Sequence, residues 1–580
     1  MGSSWMGLGI GASALQAAQQ QLDTAAHNVA NVNTPGYSRQ RVRLVASQPY
    51  TYPSFNRSGI PGQVGTGVTI SSISRVRDAF LDLQIQAQST LEGGWSARRD
   101  ELTKIEAVFP EPSDSGLGSV ISKYWSAWQD VAADPTSTAA RATLTEQSAA
   151  LAGEFNRDSL QLKMMAEGID GQVTSAVQTI NDLASQLADL NGQIQRVRVT
   201  GDNPNDLLDQ RDAILGQLSE LVPVTQVAQQ DGTLTVLIGG TDLVAGVNAR
   251  KMSTQTSASG HVVPVWPTGD PVALRNGKLQ ALLTVRDTDI AGYQAQLDSL
   301  AKGIADSTNT IQQRGIDMTG NAGLPLFTYQ AGNVAQSLAV NSALAADPRL
   351  VAAAAQPGAS GDGTVAGLIA DLQDAWSYVG GSAASNVVGG TNLSTGVTAR
   401  LMTIAAGRAK AQTYTFSSAG GNSLTLTGTD GSFQTITVPD LAAGSTGTLN
   451  FDQLGIKLTI SSESGLKNGA DVVTDLTAGG HNTLVVSSLF TPPQTTAEFY
   501  SGIVGKVGAD TSQATEMASN QQLVVDQLNQ RIEQYSGVSL DEEATDMIRF
   551  QHAYSAAARV ITTIDEMLNT LINGTGLVGR

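Results

Sequence analysis

Residues 539–571 read SLDEEATDMIRFQHAYSAAARVITTIDEMLNTL, and the spacing of their apolar side chains decides the fold. Met547, Tyr554, Ile561 and Leu568 recur every seven residues. Phe550, Ala557, Ile564 and Leu571 each follow by three, which is the a/d spacing of a coiled-coil seam. Such a stripe needs a partner. Gly537 breaks the preceding helical stretch, Ser539 is placed to cap the new one, and Glu542 stands three residues on, where a capping box requires it. Asp541, Glu542 and Glu543 put negative charge on the positive end of the helix dipole.

The best partner lies at the other end of the chain, where Leu8, Leu15, Leu22 and Val29 also repeat every seven residues. Ala18, Ala25 and Val32 follow the later three of these by three, so large side chains on one helix can sit over alanine on the other. At about 1.5 Å per residue, residues 5–32 span roughly 42 Å and residues 539–571 roughly 50 Å, a near match in length. The expectation is a coiled-coil stalk of residues 1–40 with 538–580, through which the chain leaves and returns. Stripes this long can be only partly buried by one molecule, leaving surface for identical neighbours.

A chain of 580 residues is too long for one core and suggests three or four domains. Aromatic residues are only 5% against 41% apolar, so the cores must be built mainly from Ala, Leu, Val and Ile. The net charge of −18 argues against a phosphate-binding surface, and nucleic acid is excluded as a partner. The absence of cysteine removes disulfides, thiolate metal sites and cysteine nucleophiles together. No run approaches the ~18 apolar residues of a membrane span, and no basic-then-apolar leader opens the chain. Export, if it occurs, would leave the N-terminus uncleaved.

Between the two ends the pattern alternates. Pro35 and Gly36 occupy the central places of a type II turn, which stops the first helix. Asn28, Asn31 and Asn33 either cap that helix end or bond to a neighbouring subunit. Alternation in residues 41–45 and 68–70 predicts short strands. Arg39, Arg41, Arg43, Arg75 and Arg77 make this stretch locally basic, either as a solvated face or as a contact for acidic neighbours. Residues 75–221 read as successive helices, the clearest over 169–199, with a turn at Gly201-Asp202-Asn203-Pro204. Residues 223–271 read as a small β unit, and helical spacing returns over 278–314. Residues 380–488 are rich in Gly, Thr and Ser, with a hairpin signal at Asp430-Gly431, and read as an inserted β domain whose ends lie close together. Helix resumes over 499–535.

The resulting class is a multidomain α+β fold. It comprises the terminal coiled-coil domain, a helix-rich bundle (41–222 with 275–315 and 495–537), a small β-containing domain (223–274 with about 316–379) and the inserted β domain (380–490).

Little in the sequence points to chemistry. His27, His261, His481 and His552 are scattered, with no second ligand at metal spacing. Gly7, Gly9 and Gly11 imitate part of a dinucleotide loop, but no strand precedes them, and a flexible helix start is the better account. Asp541, Glu542 and Glu543 read as cap residues rather than an acid/base pair. No catalytic, cofactor or metal site is expected.

The segment AAHNVANVNTPGYSRQ, residues 25–40, resembles the N-terminal signature of the flagellar rod, hook and hook-associated proteins, carried by Asn28, Asn31, Asn33, Thr34, Gly36 and Tyr37. Residues 537–571 resemble the matching C-terminal signature. Within that family TPGYSRQ, LLDQRD at 207–212, QQRGIDMTGNAGLPLF at 312–327 and the chain length favour the member at the hook-filament junction. The resemblance implies a secreted structural adaptor of the extracellular flagellum that assembles through the two seams into a ring of identical subunits. It implies hook protein on one side, hook-associated protein 3 on the other, and an export chaperone on the C-terminal helix. A hook or distal-rod protein is the alternative within the family. An extracellular adhesin or enzyme, with residues 380–488 as its working module, is the alternative outside it.

Overall fold

The computed structural model describes residues 4–49, 65–375, 377–379, 409–442, 446–461, 468–477 and 483–574. Helix α1 (Ser4–Ala30) stops where expected: Tyr37 N donates to Thr34 O at 3.2 Å, and Gly36 takes the positive φ of 78° that the third place of a type II turn demands. Strands β1 (Gln40–Ala46) and β2 (Val68–Arg75) pair antiparallel, with a bulge between Arg43 and Leu44.

Helices α2 (Ala79–Glu106), α3 (Leu117–Ala133) and α4 (Thr138–Val199) follow. The helix expected over 169–199 is the second half of α4, which runs unbroken for 62 residues. Gly153, Gly168 and Gly171 do not interrupt it. Each costs about 1 kcal/mol relative to alanine, against a stripe of fully buried Leu144, Leu151, Phe155, Leu162, Ile169, Val173 and Ile180. Gly201, at φ 89°, turns the chain into α5 (Asn205–Leu221).

The small β unit consists of β3 (Thr225–Ala228), β4 (Leu234–Ile238), β5 (Thr241–Ala245) and β6 (Asn248–Ala249) in one antiparallel sheet, in sequence order. A separate hairpin follows, β7 (Ser253–Thr256) with β8 (Val262–Val265). The helical span at 278–314 is α6 (Lys278–Thr284), a π-helical turn at Val285–Ile290 and α7 (Ala291–Gln312). Beyond it lie β9 (Phe327–Thr328), α8 (Val334–Ser337), β10 (Ala339–Val340), α9 (Ser342–Ala346) and α10 (Thr364–Ala370).

In the inserted domain β11 (Ser377–Val379), β12 (Thr413–Gly420), β13 (Ser423–Gly428), β14 (Phe433–Thr437) and β17 (Thr483–Ser488) make a five-stranded sheet in the order β11-β17-β12-β13-β14. A hairpin of β15 (Thr446–Phe451) and β16 (Ile456–Ser461) and helix α11 (Gly469–Thr477) complete it around Tyr414, Phe416, Leu426, Phe451, Leu458 and Leu476. The turn between β13 and β14 is the one read at Asp430-Gly431, with Gly431 at φ 83°. Ser377 pairs with Ser488, so the entering and leaving strands of the insertion are hydrogen-bonded to each other. Residues 380–408 of the expected domain, and His481, lie outside the described residues. Helices α12 (Thr496–Ser536) and α13 (Leu540–Asn569) end the described fold, save a π-helical turn at Thr570–Gly574.

Backbone contacts divide the chain into two compact units. One comprises Met1–Asp100, Ile169–Thr284 and Ala514–Arg580, the other Glu101–Gly168 and Val285–Gln513. The divisions fall inside α2, α4 and α12, within the span read above as one helix-rich domain. In the first unit α1 and α13 lie side by side and antiparallel: Gly7 faces Ile564, Gly11 faces Ile561, and Asn28 meets Glu543. The second unit buries Tyr124, Trp125 and Trp128 of α3, with Tyr124 bonded to Thr308 at 2.8 Å and its ring 5.8 Å from that of Phe327.

Candidate functional site

The terminal pair is fastened at one end by a buried polar hub in which three distant blocks of sequence converge: residues 27–40, 205–212 and 539–546. Asn28, on the last turn of α1, uses both amide atoms. Its Oδ1 accepts from Gln40 N at 2.9 Å and from the Tyr37 hydroxyl at 2.8 Å, while its Nδ2 donates to Gln40 O at 3.0 Å and to Glu543 Oε2 at 3.2 Å. Arg39 completes the link to α13, with Nε donating to Glu543 Oε1 and Nη1 to Glu542 Oε2, both at 2.5 Å. Asp546 stands 3.8 Å away, and Arg39 N donates to Ser536 O at 2.9 Å. Burial works against the guanidinium charge, but the two glutamates hold its pKa above the ordinary arginine value.

The same strand start is tied to α5. Ser38 donates from N and Oγ to Asp209, at 3.0 and 2.7 Å, and Gln40 Nε2 donates to Asp206 at 2.8 Å while its Oε1 accepts from Asn205. Arg75 bridges Asp209 and Asp212 at 2.6 and 2.8 Å, and Arg77 donates to Asp82 at 2.9 Å. Asn28, Ser38, Arg39, Gln40, Asn205, Asp209 and Glu543 are all buried. Burial, followed by the negative charges of Asp206, Asp209 and Glu543, drives the Tyr37 pKa up, so its hydroxyl stays a donor to Asn28. Beside the hub an open cleft of about 630 Å³ is lined by Thr24, Asn28, Arg39, Asp541, Glu542 and Phe550.

Several expectations change on this geometry. Glu542 and Glu543 are not chiefly cap residues, because their carboxylates are taken by Arg39. Ser539 does accept from Glu542 N, at 3.5 Å, but Glu542 turns to the guanidinium instead of closing the box. Arg39, Arg75 and Arg77 form neither a solvated face nor a contact reserved for neighbours: they pair with acids of their own chain, while Arg41 and Arg43 are exposed. Of the three asparagines, Asn31 caps the helix by donating to His27 O at 3.0 Å, Asn28 is the cross-brace, and Asn33 is exposed. Thr34 donates to Asn31 at 3.2 Å. Gly7 and Gly11 are not a flexible start. They sit inside α1, where an added Cβ would lie 3.0 Å from Ile564 and 2.8 Å from Ile561.

On the seams, Leu8, Leu15, Leu22 and Val29 are half-buried, and besides Thr24 and Asn28 the buried residues of α1 are small: Gly11, Ala17, Ala18 and Ala25. Across from them Met547, Phe550, Ile561, Ile564 and Leu568 are half-buried and Ala557 is buried, whereas Tyr554 is 36% and Leu571 60% exposed. Ile548, Val560 and Met567 are also exposed. The chain's own pairing therefore leaves much apolar surface of α13 uncovered. Sequence reading found the stripes but not the hub, whose links from residues 28–40 to 205–209 and 542–543 span more than 150 positions and carry no periodic signal.

Three family models match the chain: the flagellar hook-associated protein FlgK helical domain over residues 102–327, the flagellar basal body rod FlgEFG protein C-terminal over 529–574, and the flagella basal body rod protein over 8–37. The last two cover the helices that meet at the hub. The chain is 30% identical to flagellar hook-associated protein 1 of Bacillus subtilis over the full length of both. It is 28% identical to that of Escherichia coli, over 97% of this chain and 98% of the relative. Among solved structures, the flagellar hook junction protein FlgK from Burkholderia pseudomallei shares the fold, with a TM-score of 0.53 at 18% identity over 79% of this chain and all of that one.

Proposed function

The chain belongs to the flagellar hook-associated protein 1 family, and from that premise we propose that it joins hook to filament as a structural adaptor, assembling through the α1–α13 pair. Its place is the extracellular flagellum. The observation that carries the assembly reading is the apolar surface left open on α13 and the turn that follows it, where Ile548, Tyr554, Val560, Met567 and Leu571 stay exposed after the chain's own ends have paired. Patches of this kind on a long helix are suited to copies of the same molecule and to axial neighbours with the same terminal helices. The neighbours are hook protein on one side and hook-associated protein 3 on the other, with identical subunits completing a ring. Before secretion an export chaperone masks α13. The match to the FlgK helical domain over residues 102–327 favours the junction member over a hook or distal-rod protein.

The test is a bacterium whose only copy carries Leu15→Asp or Ile561→Asp. The variants are expected to be made and to keep the inserted β domain folded, while filaments are lost and motility falls to the level of the deletion. Filaments of normal length and number on either variant would refute assembly through this pair.

A further inference from the structure

The faces that α1 and α13 present to each other repeat themselves. Gly11, Ala18 and Ala25 stand seven apart on one, and Tyr554, Ile561 and Leu568 seven apart on the other. A slip of one heptad, about 10 Å at 1.5 Å per residue, therefore sets small residues against large ones again. One of the two slips is crowded: it moves Ile561 from Gly11, where an added Cβ would lie 2.8 Å from Ile561 Cγ1, to Ala18, which carries such a Cβ. The opposite slip brings Met547 to Ala18 and Tyr554 to Gly11, again large side chains over small ones. What changes in that slip is the polar end: Glu543 leaves Asn28 and Arg39 and faces Gln21.

We infer that Asn28, Arg39 and Glu543 are the register key of the terminal helix pair, holding α13 against α1 at one of several apolar-equivalent positions. The carboxylate of Glu543 is 3% exposed and receives Arg39 Nε at 2.5 Å and Asn28 Nδ2 at 3.2 Å. In the slipped pair it would lose the guanidinium and meet only the neutral amide of Gln21, and the Arg39 guanidinium would lose its buried partner. A polar contact inside an otherwise apolar helix pair commonly acts this way, selecting one alignment among competitors. Arg39 is itself fixed to the body, through its backbone N on Ser536 O and through Ser38 on Asp209, so the key references α13 to β1 and α5 as well as to α1. The key concerns how the pair aligns within one chain, and it goes beyond the assembly reading without depending on it.

The chain has no cysteine, so disulfide trapping reads the register without background. The full chain carries Gly11→Cys with Ile561→Cys to report the native alignment, a pairing that also removes the Ile561 atoms a Cβ would meet. Ala18→Cys with Met547→Cys reports the opposite slip. With the key intact, the first pair is expected to cross-link and the second not. With Arg39→Met and Glu543→Met together, yield at 11/561 is expected to fall at least threefold and 18/547 to begin cross-linking, with the helical circular dichroism unchanged. Undiminished 11/561 cross-linking, with none at 18/547, would overturn the inference by showing that apolar contacts alone fix the alignment. Loss of both cross-links together with helical signal would overturn it too, since the hub would then be needed for pairing itself. The Glu543→Gln variant, which keeps an acceptor for both donors, is expected to cross-link as the parent does, and a slip there would equally overturn it.

Discussion

Asp158→Asn is expected to stabilise the second unit in a strongly pH-dependent way. Asp158 lies on α4, 1% exposed, and burial is the main force raising its carboxyl from 3.8 to about 7; the negative charge of Glu154 adds to the rise, and Arg157, whose Nη2 lies 3.2 Å from Asp158 Oδ1, opposes it. The folded pKa is above the unfolded one, so the folded state favours the protonated acid. The associated stability is fully present below about pH 4 and is lost as pH rises toward 7. At about 1.4 kcal/mol per pH unit the whole displacement amounts to about 4 kcal/mol. Asparagine carries no charge to bury and escapes that loss. Urea unfolding of parent and variant side by side cancels every other ionisation, and the variant's advantage should grow from roughly 0.5 kcal/mol at pH 4 to about 4 kcal/mol at pH 8, then level off. A difference that stays flat from pH 4 to 8, or one that favours the parent at pH 8, would refute the reasoning that Asp158 is a buried acid held near neutrality.

Arg39→Ala should cost about 3–5 kcal/mol of the first unit's stability, because it strands the buried Glu543 carboxylate. Glu542→Ala, whose carboxylate is 62% exposed, should cost under about 1 kcal/mol; equal losses in denaturant titrations would count against the hub as described. Gly303→Ala in α7 would put a Cβ 2.5 Å from Phe490 Cε1, and a loss of about 1–3 kcal/mol is expected in thermal melts, well beyond the small gain alanine brings to a helix.

The sequence was most readable where contacts are periodic. The stripe from Met547 to Leu568 gave the last helix nearly end to end, and the Asp430-Gly431 pair gave its hairpin, because local spacing and turn chemistry carry those elements. Heptad reading set Ala18 and Ala25 under large partners, and the close antiparallel approach buries both along with Gly11, which lay outside either stripe, while Leu8, Leu15 and Leu22 stay half-buried. Glycine misled at the chain start, where Gly7 and Gly11 have a packing task instead of a flexible one. The roles of Arg39, Asp209 and Glu543 were hidden for a different reason. Each is decided by a partner brought close only by the tertiary fold, and a lone acid at a helix start looks the same whether it meets solvent or a guanidinium.

The ladder joining Ser377 to Ser488 makes the inserted domain a cassette. Its two attachment points are no wider apart than neighbouring strands, so the host senses a single hairpin whatever is suspended from it. A foreign polypeptide whose own ends emerge as adjacent antiparallel strands can be swapped into the same slot, and the rest of the molecule would carry it as passive cargo.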